Sequence, residues 1–152
     1  MDIGDTVPPL TMETNGGGTV TLPTGKPTVV YFYPKDDTPG CTNEAKDFTA
    51  AAEAFGALGI GVVGISPDSA TKHDKFTAKH ELGIPLAADT DQTAANAFGV
   101  WVEKSMYGRT YMGIDRSTFL IDADGKVRRA WRKVKVKGHV DAVLAEAREQ
   151  FG

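Results

Sequence analysis

The chain has 152 residues, 41% of them hydrophobic and 24% charged, a net charge of −3 and a pI near 5.6, which suits one compact domain over residues 1–152 with a full core. That acidic balance supplies no field for binding nucleic acid or an anionic membrane, and the longest apolar runs, "VVYFY" and "LGIGVVGI", are far shorter than the ~18 residues of a membrane span. A single cysteine excludes an internal disulfide and with it the disulfide-stapled secreted class, and "MDIGDTVPPL" does not read as a signal peptide, so a cytoplasmic protein is expected.

In chain order, Leu10 to Glu13 and Thr19 to Leu22 flank "TNGGG" as a predicted N-terminal hairpin. Thr28 to Tyr33 is an apolar, β-rich run between prolines and reads as a buried strand. A helix is predicted from near Thr38 to Ala57, with Ala45, Phe48, Ala52 and Phe55 at helical spacing. Ile60 to Ile65 reads as a strand, "SPDSATKHDKFTAKHEL" as a helix, "IPLAAD" as a short strand and Asp91 to Phe98 as a short helix. "STFLID" and "VRRAWRKV" are predicted strands joined by the Asp-Gly turn of "DADGK", and "HVDAVLAEARE" closes the chain as an amphipathic helix. Helices alternating with strands, then a hairpin and a last helix, point to an α/β fold with a mixed sheet.

The one cysteine, Cys41, follows Thr38-Pro39-Gly40 at the start of the first long helix. Thr38 has the chemistry of an N-cap and Pro39 suits the first helical position. Cys41 then falls at the third position, among backbone N–H groups without intrahelical partners, where the helix dipole favours an anion such as a thiolate. Gly40 allows close approach to the backbone. The competing reading of a lone cysteine is a small buried hydrophobe, but this placement favours a reactive thiol.

Pro34, Thr38 and Cys41 form P-x-x-x-T-x-x-C, and "FYPKDDTPGCTNEA", "MYGRTYMGIDRSTFLID" and "WRKVKVKGHVDAVL" extend the match. In these stretches the chain resembles the peroxiredoxins, in particular the bacterioferritin-comigratory or PrxQ branch of the AhpC/TSA family. The resemblance implies a thioredoxin-like fold, a central mixed sheet flanked by helices with an N-terminal hairpin. It implies thiol-dependent reduction of hydrogen peroxide and organic hydroperoxides without metal or organic cofactor. Cys41 would be the peroxidatic residue, oxidised to a sulfenic acid, with Thr38, Pro34 and Arg116 as its catalytic partners. Many members of the branch carry a resolving cysteine where this chain has Lys46, so resolution here would need an external thiol: thioredoxin, glutaredoxin or a low-molecular-weight thiol. A monomer is implied as well.

Two other readings use the same thiol. A peroxide sensor or relay would pass the oxidation to a bound partner, and a monothiol thioredoxin-like protein would exchange disulfides without needing Pro34 or Arg116. Lys46, about 140° around the helix from Cys41, is expected to face solvent. Glu44 is either a loop-holding hydrogen-bond partner or an ordinary first-turn carboxylate. Trp101 and Met106 to Tyr111 are placed near the pocket mouth by the resemblance. His73 and His80 share a helix face but lack the further ligands of a metal site, and both are expected at the surface. "KVRRAWRKVKVKG" holds seven Lys or Arg in thirteen residues, and its Val134–Lys137 alternation suggests a charge-protected edge strand rather than a nucleic-acid patch.

Overall fold

The structure is a computed structural model describing residues 1–152. It opens with an antiparallel hairpin of β1 (Leu10–Glu13) and β2 (Thr19–Leu22), followed by β3 (Thr28–Phe32) and the 19-residue helix α1 (Pro39–Ala57). Then come β4 (Gly61–Ser66), α2 (Ala70–His80), β5 (Leu86–Ala88) and α3 (Thr93–Phe98). A second hairpin, β6 (Trp101–Met106) and β7 (Arg109–Ile114), precedes β8 (Ser117–Ile121), β9 (Val127–Trp131) and α4 (His139–Phe151). The central sheet has the order β5-β4-β3-β8-β9, parallel from β5 to β3 and antiparallel from β3 to β9. The expected mixed sheet and N-terminal hairpin are both present.

β3 is buried at all five positions because both faces of the sheet are covered. Period-two alternation sends Val29, Tyr31 and Tyr33 to the layer of α1 and α4, with Phe48, Phe55 and Val143. Val30 and Phe32 go to the opposite layer, with Ile65, Phe98 and Phe119. The Tyr31 ring passes so close to β4 that a Cβ on Gly64 would lie 2.6 Å from its Cζ, so this strand position needs glycine.

Register sets the site. Phe32, at the end of β3, pairs with Ser117, at the start of the antiparallel β8. The chain leaving β3 for α1 and the chain entering β8 therefore meet at one end of the sheet, which brings Cys41 and Arg116 together across 75 positions.

Two expectations are corrected, and one element is additional. The β6–β7 hairpin was not anticipated; its turn, Tyr107-Gly108, has positive φ at both residues, 52° and 78°, as a two-residue hairpin loop demands. It holds Met106, Tyr107, Tyr111 and Met112 exposed, Tyr107 at 97%, and leads two residues on to Arg116. The predicted edge strand over Val134–Lys137 does not form: β9 stops at Trp131, Lys133 takes a positive φ of 49°, and Val134 N–H donates to Arg116 O at 2.9 Å instead of to a strand. His73 is fully buried, not at the surface. No helix is long and apolar enough to cross a membrane.

Candidate active site

Cys41 lies at the third position of α1, after Pro39 and Gly40, and is 1% exposed. The guanidinium of Arg116 donates from Nη2 to Cys41 Sγ at 3.2 Å and from Nη1 to Glu44 Oε1 at 2.7 Å. One planar fork thus bridges the sulfur and a carboxylate one helical turn further along α1. Gly40 makes room for it, since a Cβ there would sit 3.3 Å from Arg116 Nη2. The close approach that the glycine permits is therefore made by the guanidinium.

Glu44 is 0% exposed, and its Oε2 has no hydrogen-bond partner within the protein. Burial pushes its carboxyl up from 4.5 to about 7, against the opposing pull of Arg116. Burial also draws the Arg116 guanidinium down, but Glu44 and Cys41 together hold it above the ordinary arginine value. Arg116 therefore stays a cation, 17% exposed, with its positive charge against Sγ. Beneath lies Tyr31, stacked on Phe48 at 4.5 Å; burial, then the nearby Glu44 and Cys41, raise its phenol well above the usual value, so it stays protonated.

Behind Arg116, His139 at the start of α4 hydrogen-bonds Thr118 Oγ1 through Nε2 at 2.8 Å and packs edge-on against Phe48 and Trp131. Burial, then the charge of Arg116, lower its imidazole to about 4, so it is neutral at physiological pH and adds no competing cation.

Of the four residues that the sequence nominated, the structure brings Cys41 and Arg116 into direct contact. Thr38 occupies the N-cap position, but its side chain does not cap: Oγ1 donates to Lys35 O at 2.9 Å, closing the turn before the helix. The oxygen keeps its lone pairs free to accept from a ligand. Pro34 is exposed and opens the loop 34–38 directly after the buried Tyr33. Lys46 is exposed, as its angle around the helix requires.

Glu44 is a hydrogen-bond partner, of the Arg116 side chain, and not an ordinary first-turn carboxylate, and Asp36 and His73 were missed as parts of the site's support. Asp36 accepts from the Tyr33 hydroxyl at 2.6 Å, and its other carboxylate oxygen lies 2.7 Å from His73 Nδ1. No group of three or more His, Cys, Asp or Glu side chains is placed to hold a metal ion. The cationic fork, the sulfur at a helix start and the buried carboxylate suit attack on a weak bond between electronegative atoms, with charge stabilised on the departing atom.

Comparison with known proteins agrees. Residues 3–130 match the AhpC/TSA family. Peroxiredoxin Bcp of Bacillus subtilis is 49% identical over 146 residues, covering 95% of this chain and 93% of that protein. The structure of the Xanthomonas campestris bacterioferritin comigratory protein, studied for its alkyl peroxide reduction activity, superposes with a TM-score of 0.90 at 46% identity, covering 94% of this chain and 92% of that one. A cysteine-to-serine variant of PrxQ from Xylella fastidiosa gives a TM-score of 0.94 at 38% identity, covering 99% and 97%. With a family match over most of its length and relatives this similar in sequence and fold, the chain belongs to the AhpC/TSA family, in the Bcp or PrxQ branch of thiol-dependent peroxiredoxins.

Proposed function

We propose that Cys41 is the peroxidatic residue of a one-domain, monomeric, cytoplasmic enzyme that reduces hydrogen peroxide and organic hydroperoxides and is recycled by an external thiol. The observation that carries this reading is the 3.2 Å contact from Arg116 Nη2 to Cys41 Sγ, with the same guanidinium anchored on Glu44 at 2.7 Å.

The thiolate attacks one peroxide oxygen. The S–O bond forms as the O–O bond breaks, and the departing alkoxide or hydroxide takes up a proton to leave as alcohol or water. Sulfur is oxidised by two electrons to the sulfenic acid and the peroxide is reduced by two. Arg116 holds the thiolate before the step and stabilises the negative charge that moves onto oxygen during it. Backbone N–H groups of the first turn of α1 and the free lone pairs of Thr38 Oγ1 give the peroxide further points of attachment. Pro34 closes the loop over the site.

No second cysteine exists to attack the sulfenic acid. A thiol R′SH therefore forms the mixed disulfide and releases water, and a second thiol frees Cys41 as R′SSR′ leaves. The sum is ROOH + 2 R′SH giving ROH + H₂O + R′SSR′. Arg116 and Pro34 have no task in simple disulfide exchange, which is why the peroxidase reading is preferred.

Steady-state peroxide consumption tests the proposal, with thioredoxin and its reductase, glutaredoxin, or glutathione as electron source. Many turnovers per Cys41 with at least one donor, lost in Cys41→Ser, are expected. One turnover only, with every donor, would leave a stoichiometric sensor or relay.

A further inference from the structure

Beside the active-site loop runs a groove of about 210 Å³ whose charge the peroxide step does not use. One wall is loop 34–38, through Lys35; the other is α2, through Lys72, Lys75 and Lys79, with Phe76 beneath. Spacings of three and four residues put the α2 lysines on one helix face. Lys35 is tied to the catalytic residues directly, because its carbonyl oxygen accepts from Thr38 Oγ1 at 2.9 Å.

Asp36, Asp37 and Asp68 also line the groove, but each is engaged from within the protein. The Asp36 side chain is 6% exposed, with Tyr33 Oη at 2.6 Å and His73 Nδ1 at 2.7 Å. That of Asp68 is 8% exposed and accepts from Ser66 Oγ and from the Asp36 backbone N–H, each at 2.8 Å. Asp37 lies 2.6 Å from Lys79 Nζ and 2.8 Å from His80 Nε2. Lys72 stands 3.9 Å from Asp68, whereas Lys35 and Lys75 are exposed and form no ion pair. In a chain of net charge −3, the charge that this groove offers to solvent is positive.

A neutral peroxide gains nothing from such a surface. The thiol step brings an anion every time, since a thiolate is the attacking species, and no second cysteine of this chain can supply it. A lining of charged side chains suits a hydrophilic ligand rather than an apolar tail. We propose that Lys35 and Lys75, with Lys72, bind the carboxylates of a low-molecular-weight thiol of the glutathione type, which reduces the Cys41 sulfenic acid. Its thiolate attacks the sulfenic sulfur. The S–S bond forms as the S–O bond breaks, and the hydroxide takes up a proton and leaves as water. A second molecule of the thiol attacks the mixed disulfide and frees Cys41, so two thiols are oxidised to one disulfide as sulfur regains two electrons. This names the reductant of the peroxidase reading above and rests on that reading.

The test uses the sulfenic form, made with one equivalent of hydrogen peroxide. It is mixed with glutathione, mercaptoethanol or cysteamine, whose thiolates carry successively less negative charge, and the mixed disulfide is followed by intact mass. Reduced thioredoxin is run in parallel. Lys35→Ala and Lys75→Ala should each slow glutathione about threefold, and together about tenfold, the scale of exposed charge pairs. Mercaptoethanol should slow less, and cysteamine, whose ammonium offsets its thiolate, not at all. Salt at about 0.5 M should bring wild type and the double variant together. Lys126→Ala removes the same charge in the turn between β8 and β9, at the other end of β8 from Arg116, and should leave the glutathione rate unchanged.

Equal losses with all three thiols, or equal glutathione rates in wild type and the double variant, would overturn the site while leaving the peroxidase intact. So would a sulfenic form that glutathione does not reduce, or a loss confined to thioredoxin, which would mark the groove as a protein-docking surface. A wild-type thiol no faster with peroxide than a free one would remove the peroxidase reading itself, and this site with it.

Discussion

Replacing Glu44 by glutamine should stabilise the protein at neutral pH and slow it as an enzyme. The buried carboxyl is raised from 4.5 to about 7 chiefly by burial, which outweighs the attraction of Arg116. Between those values the native state keeps a proton that the unfolded chain has released, so stability falls as pH rises through the window. At about 1.4 kcal/mol per pH unit the ionised site costs the fold about 3 kcal/mol by pH 8. Glutamine resembles the protonated form in shape and does not titrate.

The stability of Glu44→Gln relative to wild type should therefore climb by about 3 kcal/mol between pH 4.5 and 8, measured by urea unfolding at intervals of pH. His139 slopes the other way: lowered to about 4 by burial and by Arg116, it lacks a proton that the unfolded chain takes up below 6.5, so stability falls as pH drops. It is present in both proteins and cancels in the difference. Meanwhile Arg116 Nη1 exchanges a carboxylate for a neutral amide oxygen, and the rate with peroxide should fall about tenfold. Parallel stability curves for the two proteins, or an unchanged peroxide rate, would refute the reasoning.

Three other substitutions probe the same geometry. Arg116→Lys puts a single point charge where a fork now bonds Sγ and Glu44 at once, and kcat/KM for peroxide should drop by about 10²-fold in a steady-state assay. Gly40→Ala places a methyl 3.3 Å from Arg116 Nη2 and should cost the peroxide step about threefold, with the urea midpoint unchanged or slightly raised, because alanine suits a helix better than glycine. Gly64→Ala drives a methyl to 2.6 Å from Tyr31 Cζ and 2.9 Å from Leu86 Cδ2 in a fully buried layer, and should destabilise by about 1–3 kcal/mol with the m-value preserved.

Local chemistry was legible in the sequence, and distant pairing was not. The bounds of β1 and β2, the start of α1 at Pro39 and the third-position cysteine follow from turn residues, helix-start residues and apolar spacing. Arg116 was reached only through the motif that it belongs to, because nothing local ties it to a thiol 75 positions earlier. Glu44 looked like a first-turn carboxylate because its burial depends on a guanidinium 72 positions away. His73 sits among polar neighbours on α2, and its partners Asp36 and Ala87 lie on other elements.

The β6–β7 hairpin escaped because neither strand buries a face strongly; the Tyr107-Gly108 pair was its one readable signal. The Val134–Lys137 alternation has the strand period without a strand to pair with, because the half-buried Val134 donates its N–H to the chain at Arg116. Thr38 had the right chemistry for a cap, yet a carbonyl three residues back took its hydroxyl.

On the proposed function, Cys41 is an activated thiol that reduces peroxide and cannot resolve itself. One equivalent of hydrogen peroxide mixed with fully reduced protein tests it most directly, followed by stopped-flow fluorescence and intact mass. Trp131, half-buried and packed against the core cluster that contains Cys41, reports the step. The reaction should run orders of magnitude faster than that of a free thiol and end in a single added oxygen, with no disulfide and no reaction in Cys41→Ser. A rate equal to that of a free thiol would contradict it.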